Sequence, residues 1–105
     1  MMKAAERALA NAWAERLAEA GDAARACAVA RFFRSGPGQY GEGDRFLGLT
    51  VPAVRALARE ARELPLGALE TLLSSAWHEV RLFALVVLTE RAKRLPSAAA
   101  RLALA

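Results

Sequence analysis

The chain reads as an all-α protein, an α-solenoid of antiparallel helical hairpins stacked side by side, and three observations predict this. Apolar residues recur at spacings of three and four, and no segment shows the period-two alternation of a half-buried strand. Gly, Pro, Ser, Thr and Asp divide the pattern into five or six short helical units joined by short links, as in folds where each hairpin buries its face against the next. One domain covers residues 1–105.

Leu9, Trp13, Leu17 and Ala20, spaced four, four and three, predict an amphipathic helix over residues 3–20, with Glu6, Arg7, Glu15, Arg16 and Glu19 off the stripe. Gly21 ends it. Asp22 is a good N-cap for a second helix reaching about residue 34, with Ala26, Val29, Ala30 and Phe33 inward. The single cysteine, Cys27, has no internal disulfide partner, and Ala26, Ala28 and Val29 beside it suggest a small apolar residue in a helix core.

After a glycine-rich loop, Thr50 is an N-cap candidate and Pro52 suits a first turn, where its missing N–H removes no helical bond. The third helix is expected to run to about residue 63. Val51, Val54, Leu57, Ala58 and Ala61 face one way, which leaves Arg55, Arg59 and Arg62 as a basic stripe on another face, read either as a solvated face interleaved with Glu60 and Glu63 or as a phosphate-tracking ridge beside the helix N-terminus. Pro65 opens a short fourth helix through Leu69, Leu72 and Leu73, and Ser74 or Ser75 is the expected cap of a fifth beginning near Trp77.

From Val80 to Leu88 the only polar residue is Arg81, so the fifth helix needs neighbours on more than one side. Pro96 and Ser97 restart a helix that meets Ala105 after barely two turns. That arrangement predicts an apolar seam at the C-terminal end, to be covered by a further repeat, a partner or a second copy.

Composition narrows the class. With 55% hydrophobic and 25% charged residues the chain is globular rather than disordered, and residues 1–20 lack an apolar run fit for a signal peptide or membrane span, so a cytoplasmic location is expected. The formal net charge of +4 permits an anionic partner. Seven basic and six acidic residues lie in 1–49 and eight and five in 50–105, so the excess follows the loop.

That loop, FFRSGPGQYGEGDRFLGLTVP from Phe32 to Pro52, holds five of the seven glycines. Its Gly36-Pro37-Gly38-Gln39-Tyr40-Gly41 spells a G-x-G-x-x-G fingerprint, but a dinucleotide site needs a strand before it and a helix directly after, and neither is predicted here. Glu42 and Asp44 are paired acids without further metal ligands, better read as bonding local N–H groups or an arginine. His78 is the only histidine, no H-E-x-x-H exists, and no serine or cysteine has a spaced triad partner. Trp13 and Trp77 read as helix packing, and Glu79 as a first-turn acid matched to the helix dipole.

The stretch FFRSGPGQYGEGDRFLGLTVPAVRALAR (Phe32 to Arg59) together with SAWHEVRLFALVVL (Ser75 to Leu88) resembles the AlkD-like DNA alkylation repair enzymes, DNA glycosylases built from HEAT-like repeats. The likeness covers essentially residues 25–95. It implies a C-shaped stack of helix pairs whose concave basic face grips alkylated duplex DNA, and excision of positively charged N3- and N7-alkylated purines without metal or nucleotide cofactor. The family's catalytic Trp-Asp segment and later arginine belong to repeats beyond these, so no catalytic residue is carried over and the chain's own enzymatic status stays open.

What carries over is the turn Gly48-Leu49-Thr50-Val51-Pro52 and the helix it starts, which in the family face the DNA. Thr50 and Arg55, with Arg59 and Arg62 along the stripe, are the DNA-binding candidates. The competing expectation is a non-catalytic helical-repeat module that binds protein through the apolar C-terminal seam.

Overall fold

Asp22 and Thr50 cap two helices as their side chains predict: Asp22 Oδ1 accepts the Arg25 N–H at 2.8 Å and Thr50 Oγ1 the Ala53 N–H at 3.2 Å. The computed structural model describes residues 4–39 and 41–95. They form α1 (Ala4–Ala20), α2 (Ala23–Phe32), α3 (Val51–Glu60), α4 (Leu66–Leu73) and α5 (His78–Lys93), with no strand among the described residues. The helix expected from Pro96 lies outside the described residues.

The helices pack as hairpins in two layers, α1 against α4 and α3 against α5, with α4 and α5 joined as a hairpin. Within each layer neighbours run the same way. In the first, Gly67 in the opening turn of α4 lies against the Glu6 carboxylate from the opening turn of α1. In the second, Arg91 near the end of α5 donates to the carbonyls of Arg62 and, at 2.7 Å, Leu64 just past α3, while both helices start beside the same loop. This is the packing of a helical repeat. An exposed Arg16–Glu60 ion pair at 2.7 Å links α1 to α3 across the layers.

The core lies between the layers: Ala10 and Leu17 from α1, Val54 and Ala58 from α3, Ala68, Leu69 and Leu72 from α4, and Val80, Phe83, Ala84 and Val87 from α5. Trp13 stacks on Phe83 at 5.2 Å, so this tryptophan packs between helices as expected. The α1 stripe is displaced, however. Leu9 is 42% exposed and Ala20 is exposed, while Ala10 is buried in the core to which α4 and α5 also contribute.

Four other expectations need correction. Cys27 is exposed, since α2 has no buried residue and only its Ala26, Val29 and Ala30 edge is partly covered. Helices α2 and α3 end at Phe32 and Glu60, short of residues 34 and 63. Neither Ser74 nor Ser75 caps α5: Ser75 Oγ accepts the Trp77 N–H at 3.1 Å, and the His78 N–H goes to the Arg45 carbonyl at 2.7 Å. Trp77 is exposed, lying beneath the Arg45 guanidinium at 5.9 Å instead of packing in the interior.

Candidate functional site

The glycine loop divides into two parts with different roles. Its first part uses its own amides: Gly36 N–H donates to the Gln39 side chain at 2.9 Å and Gly38 N–H to Glu42 at 3.2 Å. Those amides are not offered to a phosphate, in keeping with the rejected fingerprint.

The second part, residues 44–49, is clamped between the starts of α2 and α5. Glu79 is 3% exposed, and its carboxylate accepts the N–H of Leu47 at 2.8 Å, of Gly48 at 2.9 Å and of Leu49 at 3.2 Å. Three donors satisfy a charge that burial would otherwise make costly. From the other side, the Leu47 carbonyl accepts the Asp22 N–H at 2.9 Å and the Gly48 carbonyl accepts Arg25 Nη1 at 3.2 Å. Gly48 has φ 84°, and a Cβ there would strike the Asp22 carbonyl oxygen, so only glycine fits.

Sequence reading assigned Glu79 only to the helix dipole and missed this role. The signal that could have found it is the glycine-bearing Phe46-Leu47-Gly48-Leu49 run, whose consecutive amides need an acceptor once Phe46 and Leu49 are buried.

Asp44 meets the expectation of a loop carboxylate bonded to backbone and arginine. It accepts the Arg45 N–H at 3.0 Å and Arg81 Nη2 at 2.8 Å, and lies 3.3 Å from His78 Nδ1. Partial burial works to raise its pKa, but the hydrogen bond and charge of Arg81, with help from His78 and the Arg45 amide, outweigh that and hold the carboxyl below its ordinary value. Among the described residues no group of three or more His, Cys, Asp or Glu side chains is arranged to hold a metal ion.

The clamp delivers the chain to Thr50, exposed at the start of α3, and so fixes where the arginine stripe lies. Arg55, Arg59 and Arg62 are all exposed and line one wall of a groove of about 470 Å³ between α3 and α5. Leu82, Leu85, Val86, Thr89, Glu90 and Lys93 form the rest of its lining. Thr50 lies at the helix start and is not among the lining residues. Glu90 is the groove's one carboxylate among the described residues, and Lys93 Nζ stands 3.4 Å from it, so three guanidiniums face solvent without an acidic partner there.

The model of the DNA alkylation repair enzyme family matches residues 13–105. The chain belongs to that family. No curated protein and no solved structure shows a match to the chain. The matched residues take in most of α1 and all of α2 to α5, and no described helix is long and apolar enough to cross a membrane.

Proposed function

We infer that the chain is the DNA-binding N-terminal part, built of HEAT-like repeats, of a DNA glycosylase that excises alkylated purines, with the α3–α5 groove set against the duplex backbone. The observation that carries this is the wall of Arg55, Arg59 and Arg62, on a helix whose N-terminus is presented by the Glu79 clamp. Guanidiniums displace condensed counterions from phosphates, and the positive end of the α3 dipole favours the same negative charge. Thr50 stands there as a further phosphate contact.

Base release is assigned to residues that the family carries in later repeats, so no residue here is given a catalytic role. In the whole enzyme a carboxylate and aromatic faces would stabilise positive charge as the N-glycosidic bond breaks. The 105-residue chain is expected to bind duplex DNA weakly, with affinity falling steeply as salt rises, and to release no 7-methylguanine.

The test is a salt titration of duplex affinity with Arg55→Ala/Arg59→Ala beside the unsubstituted chain. The slope of log affinity against log salt should fall by about two for the double variant. An unchanged slope, or robust base release by the chain alone, would overturn the reading.

One observation favours a second reading, a protein-docking module. Leu85 is 52% exposed in the groove, beside Leu82 and Val86. Leu85→Ser, which removes the apolar surface without adding charge, separates the two: it should abolish docking of an apolar partner and weaken duplex binding only modestly.

A further inference from the structure

We propose that the chain carries a second nucleic-acid site, a stacking platform for the unpaired bases of single-stranded DNA, formed by Phe32 and Phe33 with Arg31 and Arg34, and with the Arg45–Trp77 pair, next in sequence to His78, as a further contact. Its frame is a row of rings rising from the core to solvent. Phe46 is buried at 6% exposure, Phe33 stacks on it at 5.6 Å with 48% exposed, and Phe32 sits edge-on to Phe33 at 5.2 Å with 80% exposed. The His78 ring braces the row at 5.0 Å from Phe46 and 5.7 Å from Phe33. A flat base is the shape that extends such a row, and stacking on aromatic faces tolerates any base because each has a π-face.

The charges around the row complement a phosphodiester chain. Arg31 and Arg34 flank the two phenylalanines in sequence, and Arg45 lies over Trp77. All three arginines are exposed, and among the described residues none has a carboxylate within ion-pair reach. The nearby acid Asp44 is already engaged by Arg81 and His78.

Backbone geometry points independently to Arg34. The end of α2 closes with Ser35 N–H on the Ala30 carbonyl at 3.1 Å and Arg34 N–H on the Arg31 carbonyl at 3.2 Å, the Schellman pattern. Its left-handed position normally falls to glycine, yet Arg34 occupies it at φ 52°, the one described non-glycine residue with positive φ. A charged side chain at a backbone position that favours glycine, next in sequence to two exposed rings, fits a ligand-contacting role.

The platform and the α3–α5 groove also share a face of α5. His78, Leu82, Leu85 and Thr89 succeed one another at spacings of four, three and four, about 16 Å of helix axis from first to last. A strand on the platform therefore leads toward the groove. The platform does not depend on the groove's own role, because the two are probed by different substitutions and different ligands.

The experiment measures fluorescence anisotropy of labelled 16-mers titrated with the full chain: oligo(dT), an abasic strand of equal length, and a duplex. Phe32→Ala, on a side chain 80% exposed, should leave the fold intact by circular dichroism, weaken oligo(dT) binding about tenfold, and leave duplex affinity within about twofold. Phe32→Trp should restore oligo(dT) binding. Arg34→Gly should raise the Tm while weakening oligo(dT). The abasic strand should bind like the Phe32→Ala variant binds oligo(dT). The proposal is overturned if Phe32→Ala leaves oligo(dT) affinity unchanged, if it weakens duplex equally, if the abasic strand binds as well as oligo(dT), or if poly-glutamate competes as well as oligo(dT).

Discussion

The Glu79 carboxylate holds the amide of Gly48, thirty-one residues earlier in the chain, at 2.9 Å, and with the amides of Leu47 and Leu49 it ties the start of α5 to the entry of α3. Removing it leaves three amide donors at or near the interior without an acceptor. Glu79→Ala should cost at least about 3 kcal/mol of stability. Glu79→Gln should cost about 1–2 kcal/mol, because one amide oxygen still accepts while the NH2 opposes a donor. Urea unfolding measures both, and a Glu79→Ala variant within about 0.5 kcal/mol of the parent would show that the clamp does not hold the loop.

Three loop glycines have positive φ, but only Gly48 is also crowded by backbone. Gly48→Ala should therefore destabilise by about 2–4 kcal/mol, through strain and collision with the Asp22 carbonyl. Gly43→Ala, at φ 88° with open space around it, should cost only about 1 kcal/mol. Equal thermal shifts for the two would mean that conformational freedom, and not the close approach, decides the Gly48 position.

The same contrast explains how much of the molecule could be read in advance. Helix starts at Ala23 and Val51 followed from the local chemistry of Asp22 and Thr50, and the arginine stripe from helical period alone. The facing of α1 did not, because which side of α1 is buried is decided by its packing on α4 and α5, helices far away in sequence. Cys27 was misplaced for the same reason: small apolar neighbours suit a core, but among the described residues α2 has no buried position. At the candidate site the basic wall was legible, whereas its support was not, since the amides of residues 47–49 call for an acceptor without saying that Glu79, far along the chain, provides it.

Asp44 makes the loop sensitive to acid. Its folded pKa is depressed, so the native state holds its proton less tightly than the unfolded chain, and stability rises with pH between the two values. The contribution is fully present above the unfolded carboxyl pKa of about 3.9 and is lost as pH falls through the lower folded value. The stability difference between the parent and Asp44→Asn should thus be constant above about pH 5 and shrink below about pH 4. A difference that is flat across this range in a series of urea melts would remove the Asp44–Arg81 ion pair from the account.

Thr50 combines two roles that a single truncation would confuse. Thr50→Ala loses the bond to the Ala53 N–H and should cost about 1 kcal/mol, lowering DNA affinity through a frayed helix start as well as through any lost contact. Thr50→Asp separates them. Aspartate caps as well as threonine and suits the helix dipole, so stability should be equal or slightly raised, yet it places a carboxylate where the proposed phosphate would approach. Duplex affinity at low salt should fall about tenfold or more for Thr50→Asp, and the deficit should narrow as salt screens the repulsion. If Thr50→Asp binds duplex DNA as tightly as the parent at low salt while melting at the same temperature, the phosphate path does not pass the start of α3, and Arg59, Arg62 and Lys93 at the far end of the groove become the place to look.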